Sequence, residues 1–475
     1  MPSPVFAATK PEDQLAQMKN ALREYVARRC PASRLPIELW DLIFEECVGD
    51  AQEMSLVNAP LNVSQVCRRW RNISLSNPGL WSALAVTPTR HHAEDDYALE
   101  ALHRVVQLWL RRAVARPLSV SLAQSDSVGS EGPLLLLLDA VLLHAPHLRH
   151  LDIRAPEACL IPLDSPALYL PALERLKIES PWPQPLAASI TLPLHRAPRL
   201  RSFAVLRTSF DAAHVFAFDY TQLTELTLLP DAQAAPEVFW TAEETLTFLA
   251  EAPRLRTLRV AVNDYMPHRR TLAHADALQS LTLEFRDALS TLPPRPTRIG
   301  AFFSLLYTPN LRHLTLRDRG AAHPAVWPLH QFLDTWPQAQ FLAYLSTTQL
   351  RALTLEHLPL YETEVIECLQ RVPLLTELVL AARAQGGLQR NVGDLLLCAL
   401  TSRTVPPNGT PIVTALRKVE FRHCGKRCTE QALISMVDSR LGALEYLRVH
   451  RSALPSQNLA AQLARWDMVK VDMHY

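Results

Sequence analysis

One short phrase returns eleven times between residues 148 and 449 and limits what this chain can fold into. Two apolar residues stand three apart, and a third follows two positions later. The copies are Leu148-x-x-Leu151-x-Ile153, Leu173-x-x-Leu176-x-Ile178, Leu200-x-x-Phe203-x-Val205, Leu223-x-x-Leu226-x-Leu228, Leu255-x-x-Leu258-x-Val260 and Leu278-x-x-Leu281-x-Leu283. They continue as Leu311-x-x-Leu314-x-Leu316, Leu350-x-x-Leu353-x-Leu355, Leu375-x-x-Leu378-x-Leu380, Leu416-x-x-Val419-x-Phe421 and Leu444-x-x-Leu447-x-Val449. The closing alternation has the two-residue period of a strand. Pro146, Pro171, Pro198, Pro253, Pro309 and Pro373 each stand two residues before a copy. Proline there is expected to end a preceding helix, and helical spacing is present at Leu134–Leu143, Glu244–Ala250 and Glu364–Gln370. A unit of this size cannot cover its own apolar side chains, but stacked neighbours can. The expected fold is therefore α/β: helix–strand units stacked into a solenoid with a curved parallel sheet.

The phrase resembles leucine-rich repeats, at a mean spacing of about 30 residues, near the upper end of that class. Gaps run from 23 to 41 residues, so the array is irregular. The asparagine or cysteine that follows the last apolar position in the family occurs only at Asn263 and Cys424. The region is therefore leucine-rich-repeat-like, and it is assigned to residues 97–475. Its first parts are a helix over Tyr97–Arg112, with Leu102, Val105, Val106, Trp109 and Leu110 at three- and four-residue spacing, and a strand at Leu118–Leu122.

Strand positions between the inward apolar residues point outward and line one face. Among them, eight basic and seven acidic residues nearly cancel, which suits a protein partner rather than phosphates. Arg259, Arg317 and Glu356, near the middle of the array, are the candidate substrate-binding residues.

The first part of the chain reads differently. Leu15, Met18, Leu22, Tyr25 and Val26 fall on one helix face, so residues 1–33 are expected to hold an N-terminal helix able to form a short coiled coil. Next comes Leu35-Pro36-Ile37-Glu38-Leu39-Trp40-Asp41-Leu42-Ile43-Phe44, with Pro36 read as a first-turn residue. This helix carries more apolar surface than it can hide by itself. Val63, Val66, Cys67 and Trp70 form a second face, and Asn77-Pro78-Gly79 is a turn before Leu80-Trp81.

Residues 34–84 resemble the F-box, through Leu35-Pro36-x-Glu38 with Ile43-Phe44, Val66-Cys67-Arg68-Arg69-Trp70, and Pro78-x-Leu80-Trp81. The pattern is similar to that of the F-box proteins of basidiomycete fungi, with an expanded loop at Gly49–Pro60. The resemblance implies a three-helix module that docks on the Skp adaptor of a cullin-based ubiquitin ligase. It assigns Leu35, Pro36, Ile37, Leu39, Ile43, Phe44, Val63 and Val66 to the adaptor face. Trp70 and Trp81 are expected to hold the module together.

Other classes find less support. A formal net charge of +1 lacks the basic excess of a dedicated nucleic-acid binder. The longest apolar run, Leu134–Leu143, is interrupted by Asp139 and falls short of the ~20 residues of a membrane span. The first ten residues lack the pattern of a secretory signal, and the eight cysteines lack the spacing of a disulfide framework. A cytoplasmic or nuclear protein with reduced thiols is expected. His423-Cys424-x-x-x-Cys428 has no second ligand pair nearby, and His91-His92 reads as a solvated loop, so no metal is expected. No phosphate-cradling loop, nucleophile elbow or HExxH motif is present, so neither cofactor nor catalysis is expected. The sequence reads as the substrate-recognition subunit of a ubiquitin ligase, its solenoid holding an unidentified protein. The alternative is a leucine-rich-repeat scaffold acting outside any ligase.

Overall fold

A computed structural model of the chain describes residues 15, 17–22, 25, 35–48, 58–125, 130–165, 167–181, 194–208, 220–231, 238–263, 272–285, 298–319, 336–358, 360–381, 391–401, 412–422, 428–450 and 470–474. Fourteen strands form one continuous parallel sheet and follow one another across it in chain order. They are β1 Ala83–Val86, β2 Leu118–Ala123, β3 Leu148–Arg154, β4 Arg175–Glu179, β5 Ser202–Leu206, β6 Glu225–Leu229 and β7 Thr257–Asn263. The rest are β8 Ser280–Phe285, β9 His313–Asp318, β10 Ala352–Glu356, β11 Glu377–Ala381, β12 Lys418–Arg422, β13 Tyr446–His450 and β14 Lys470–His474. A two-residue strand, Trp240–Thr241, pairs beside β7.

Each of the eleven phrases became a strand, from β3 to β13. Their middle apolar residues stand in one register row, Leu151 opposite Leu176, Leu176 opposite Phe203, and so on to Leu447. These rows are buried throughout and join the helices in one apolar cluster. Each fully buried leucine contributes about 2 kcal/mol, but only because the next unit covers it.

The prolines do something more specific than stop helices. In all six copies the residue before proline accepts a hydrogen bond from the first leucine of the strand, as from Leu200 to Ala197, Leu255 to Ala252 and Leu311 to Thr308. That is a tight turn with proline at its second position, where its fixed φ is already correct. Copies at Leu278 and Leu416 make the same turn without proline.

The expected helices are present as Gly132–Leu142, Ala242–Glu251 and Glu362–Arg371, and the helix read at Tyr97–Arg112 spans Asp96–Ala113. Thr241 and Glu244 cap the second of these reciprocally. Between β3 and β6 the described connections are 3₁₀ segments instead.

Besides two-residue strands such as Trp240–Thr241, two strands of the main run lie outside the expected set. β1 pairs with β2 in parallel, so the sheet starts at Ala83, before the expected start at residue 97. β14 closes the other edge beside β13. The expected N-terminal helix is described only at residues 15, 17–22 and 25, which are helical, with Leu15, Met18, Leu22 and Tyr25 exposed. The loop at 49–57 and the His423-Cys424 pair lie outside the described residues. Among the described residues no helix is long and apolar enough to cross a membrane.

Candidate functional site

Residues 35–82 form a small helical module ahead of the sheet: α1 Ile37–Glu46, α2 Leu61–Val66, α3 Arg68–Ser76 and a 3₁₀ turn at Pro78–Trp81. Pro36 is the N-cap of α1 rather than a first-turn residue. Trp40 and Phe44, one turn apart, are the buried residues of α1. Their rings and that of half-buried Trp70 form a triad, with centroids 4.6–5.5 Å apart. The Arg69 guanidinium donates to the Leu35 carbonyl (2.7 Å), and Asn77 Nδ2 donates to Asp41 and Glu45 at 3.1 and 3.2 Å. Asn77 Oδ1 accepts from Gly79 N–H at 2.9 Å. A Cβ on Gly79 would stand 2.7 Å from Glu45 Oε1, so a larger residue in the turn would push the Glu45 carboxylate aside.

With Trp40 and Phe44 committed inward and Asp41 and Glu45 against the Asn77 turn, the opposite face of α1 is exposed. Leu39, Leu42 and Ile43 lie at i, i+3 and i+4 and form one stripe, 42–58% exposed. Ile37 and Val66 are also exposed, as are Pro36 and the thiols Cys47 and Cys67. Single exposed leucines are ordinary, but a helix apolar on two faces is not.

This arrangement corrects the sequence reading at three places. Phe44 and Val63, expected to face a partner, are buried in the module's own core. Leu35 is half-buried against that core. Leu42, not among the expected contacts, is the most exposed of the α1 stripe. Its spacing from Leu39 was the available signal. Pro36, Ile37, Leu39, Ile43 and Val66 are at the surface as expected.

The outward face of the sheet is charged, and most of its charges are paired with one another. Glu284, at the centre, has a carboxylate almost wholly buried, and it accepts from Arg259 at 3.2 Å and from Arg319. Arg317 stands 3.7 Å from the same carboxylate and also pairs with Glu356, which holds Arg422 at 3.0 Å. Arg422 continues to Glu420 at 2.9 Å, and Glu420 to Arg448 at 3.4 Å. Hydrogen bonding to Glu356 raises the Arg317 guanidinium above its ordinary value. At the other end Lys177 bridges Asp152 (3.1 Å) and Glu179 (3.7 Å).

Glu356 was expected to contact substrate; it is buried, with both described partners within its own sheet. Arg259 and Arg317 are partly exposed but engaged. The near-balance of outward charge therefore reflects cross-strand pairing, since opposite charges on adjacent strands stabilise each other and like charges do not.

Burial works against the charge of Glu420, yet hydrogen bonds and charge from Arg422 and Arg448 outweigh it and hold the carboxyl below its ordinary 4.5. A depressed carboxylate stabilises the fold fully above its unfolded value, and that contribution is lost as pH falls through the folded one. The gap in denaturation midpoint between the wild type and Glu420→Gln should therefore hold from pH 7 to about pH 5 and close below about pH 4. Urea titrations across that range check it, and a gap of constant size down to pH 3 would remove the ionised pair from the explanation.

No constellation of metal type occurs among the described residues, where no group of three His, Cys, Asp or Glu side chains is placed to hold an ion. The His92 ring caps a short helix at Thr89, 3.1 Å from its backbone N–H. Cys159 and Cys368 are buried, and burial pushes both thiols up to about 12, far from a reactive thiolate. No protein-family model matches the chain, and no curated protein sequence matches it.

Proposed function

We propose that this chain is the substrate-recognition subunit of a Skp–cullin–F-box ubiquitin ligase. The helical module takes the adaptor, and the leucine-rich-repeat-like sheet takes a protein substrate. The observation that carries the reading is the division of labour on α1: Trp40 and Phe44 fill the core, while Leu39, Leu42 and Ile43 stay exposed in the segment that resembles the F-box. The corrected adaptor face is Pro36, Ile37, Leu39, Leu42, Ile43 and Val66, with Leu35 at its edge. Such a subunit needs no acid, base or metal of its own. It works by proximity, raising the local concentration of substrate lysines near the ligase arm. Its expected setting is the cytoplasm or nucleus.

The test mixes purified full-length chain with a purified Skp adaptor and follows both by size-exclusion chromatography and light scattering. Co-elution at one to one is expected. Separate elution at micromolar concentrations would sink the ligase reading and leave the scaffold one.

A further inference from the structure

The residue that follows the first leucine of each phrase forms a second row, at the corner where the chain enters the sheet. A backbone hydrogen bond links each member to the next, from Glu174 N–H to the Arg149 carbonyl through to Glu445 N–H to the Arg417 carbonyl, at 2.7–2.9 Å. The eleven side chains therefore stand in line, one per strand. Arg149, Arg201, Arg256, Arg312, Arg351 and Arg417 belong to this row, and all are exposed. Its two acids stand toward the ends and are taken: Glu174 by Arg149 and Glu445 by Arg417, each at 2.9 Å. Between them, Arg201, Arg256, Arg312 and Arg351 make no ion pair or side-chain hydrogen bond among the described residues. At the adjoining outward position of β5 to β10 the one acid is Glu225, which accepts from the Ser202 hydroxyl at 2.8 Å.

The contrast with the outward face is physical. There most charges are met by an opposite charge on the same or a nearby strand, as in the chain from Arg259 through Glu284, Arg317, Glu356 and Arg422 to Glu420 and Arg448. Here four cations line up over six strands; only Arg201 feels an acid of the row, Glu174 on the strand before it, which Arg149 already holds, and like charges a strand or two apart repel. The cost falls when an anion lies along them.

We infer that this corner is a docking groove for an extended acidic peptide segment. Strands are spaced about 4.8 Å apart, so the free arginines span about 24 Å, the length of roughly seven extended residues. Arg201, Arg256 and Arg312 sit on every second strand, about 9.6 Å apart, which is close to three residues of extended chain. The matching segment carries aspartate or glutamate at every third position, each met by a guanidinium fork. A nucleic acid wants a longer one-signed track, and the row is closed at both ends by paired glutamates. The inference does not rest on adaptor binding, and its test contains no adaptor, so the two readings fail separately.

The experiment uses the full chain and a labelled peptide of roughly nine residues, with glutamate at every third position and glycine and serine between. Anisotropy at low salt reads binding. The wild type is expected to bind, and more weakly as salt rises. The variant Arg201→Gln/Arg256→Gln/Arg312→Gln/Arg351→Gln should lose about tenfold or more in affinity, because several exposed pairs are lost at once. Arg149→Gln/Arg417→Gln, which removes the arginines already paired, should stay within about twofold, and circular dichroism should match the wild type for both. No binding by the wild type, or equal binding by the quadruple variant, overturns the proposal. Tighter binding of an oligouridylate of the same charge overturns it too and reassigns the row to RNA.

Discussion

Replacing Trp81 by alanine should lower stability by about 4 kcal/mol, a loss typical of a large aromatic removed from a packed core. Trp81 sits where the helical module joins the sheet. It is buried, its ring meets Trp109 edge-on with centroids 4.8 Å apart, and the Arg112 guanidinium lies 4.5 Å above it. Its Nε1 donates to the Ser74 carbonyl at 2.8 Å, tying it to the last turn of α3. Trp109, on the helix Asp96–Ala113, donates in turn to the Ala83 carbonyl of β1 at 3.0 Å. The Trp81–Trp109 pair therefore ties α3, the first strand and the first long helix together. In a stacked array each unit is stabilised by its neighbours, so an end unit that loses its one interface opens first. Guanidinium titration should show the loss, and limited proteolysis should cut within residues 35–82 well before the sheet. A loss under about 1 kcal/mol would mean that the joint is held elsewhere.

The sheet was legible because its signal repeats. A strand phrase seen once is ambiguous, but eleven copies, eight of them entered through the same tight turn, leave one way to cover the leucines. β1 and β14 escaped because Ala83–Val86 is too short to show a period and Lys470–His474 lacks the leading leucine. The face of α1 was legible only in part. Period alone shows which residues share a stripe, and α1 has two apolar stripes, at Trp40/Phe44 and at Leu39/Leu42/Ile43. Which of them turns inward depends on Trp70, which supplies the third ring. Phe44 was therefore placed on the wrong side and Leu42 overlooked. The burial of Glu284 and Glu356 was hidden for a similar reason. Their partners are arginines 25 to 66 residues away that only strand register brings within reach. Arg440 belongs with them: its buried guanidinium satisfies the carbonyls of Leu400, Ile412 and Val413, and no local pattern announces it.

The variant Leu39→Glu/Ile43→Lys should abolish adaptor binding while leaving the fold intact. Both side chains are exposed, so neither change opens a cavity. The new pair stands at i, i+4 in the favourable order, which supports α1 by a few tenths of a kcal/mol. Melting is therefore expected to stay within about 0.5 kcal/mol of the wild type. Binding is different. An apolar anchor removed from the centre of an interface costs ~2 kcal/mol or more, roughly thirtyfold in affinity, and here two are lost and two charges would need to be desolvated. Phe44→Ala makes the informative contrast. It should destabilise the module by about 3 kcal/mol or more, so its loss of binding would report unfolding rather than contact. Titrating the adaptor against all three proteins by calorimetry, with melting curves alongside, separates the cases. If the double variant binds like the wild type, the adaptor surface lies off this stripe even where the wild-type complex forms. If its binding vanishes while its melting curve stays put, the exposed half of α1 is the contact and the aromatic half is the scaffold that presents it.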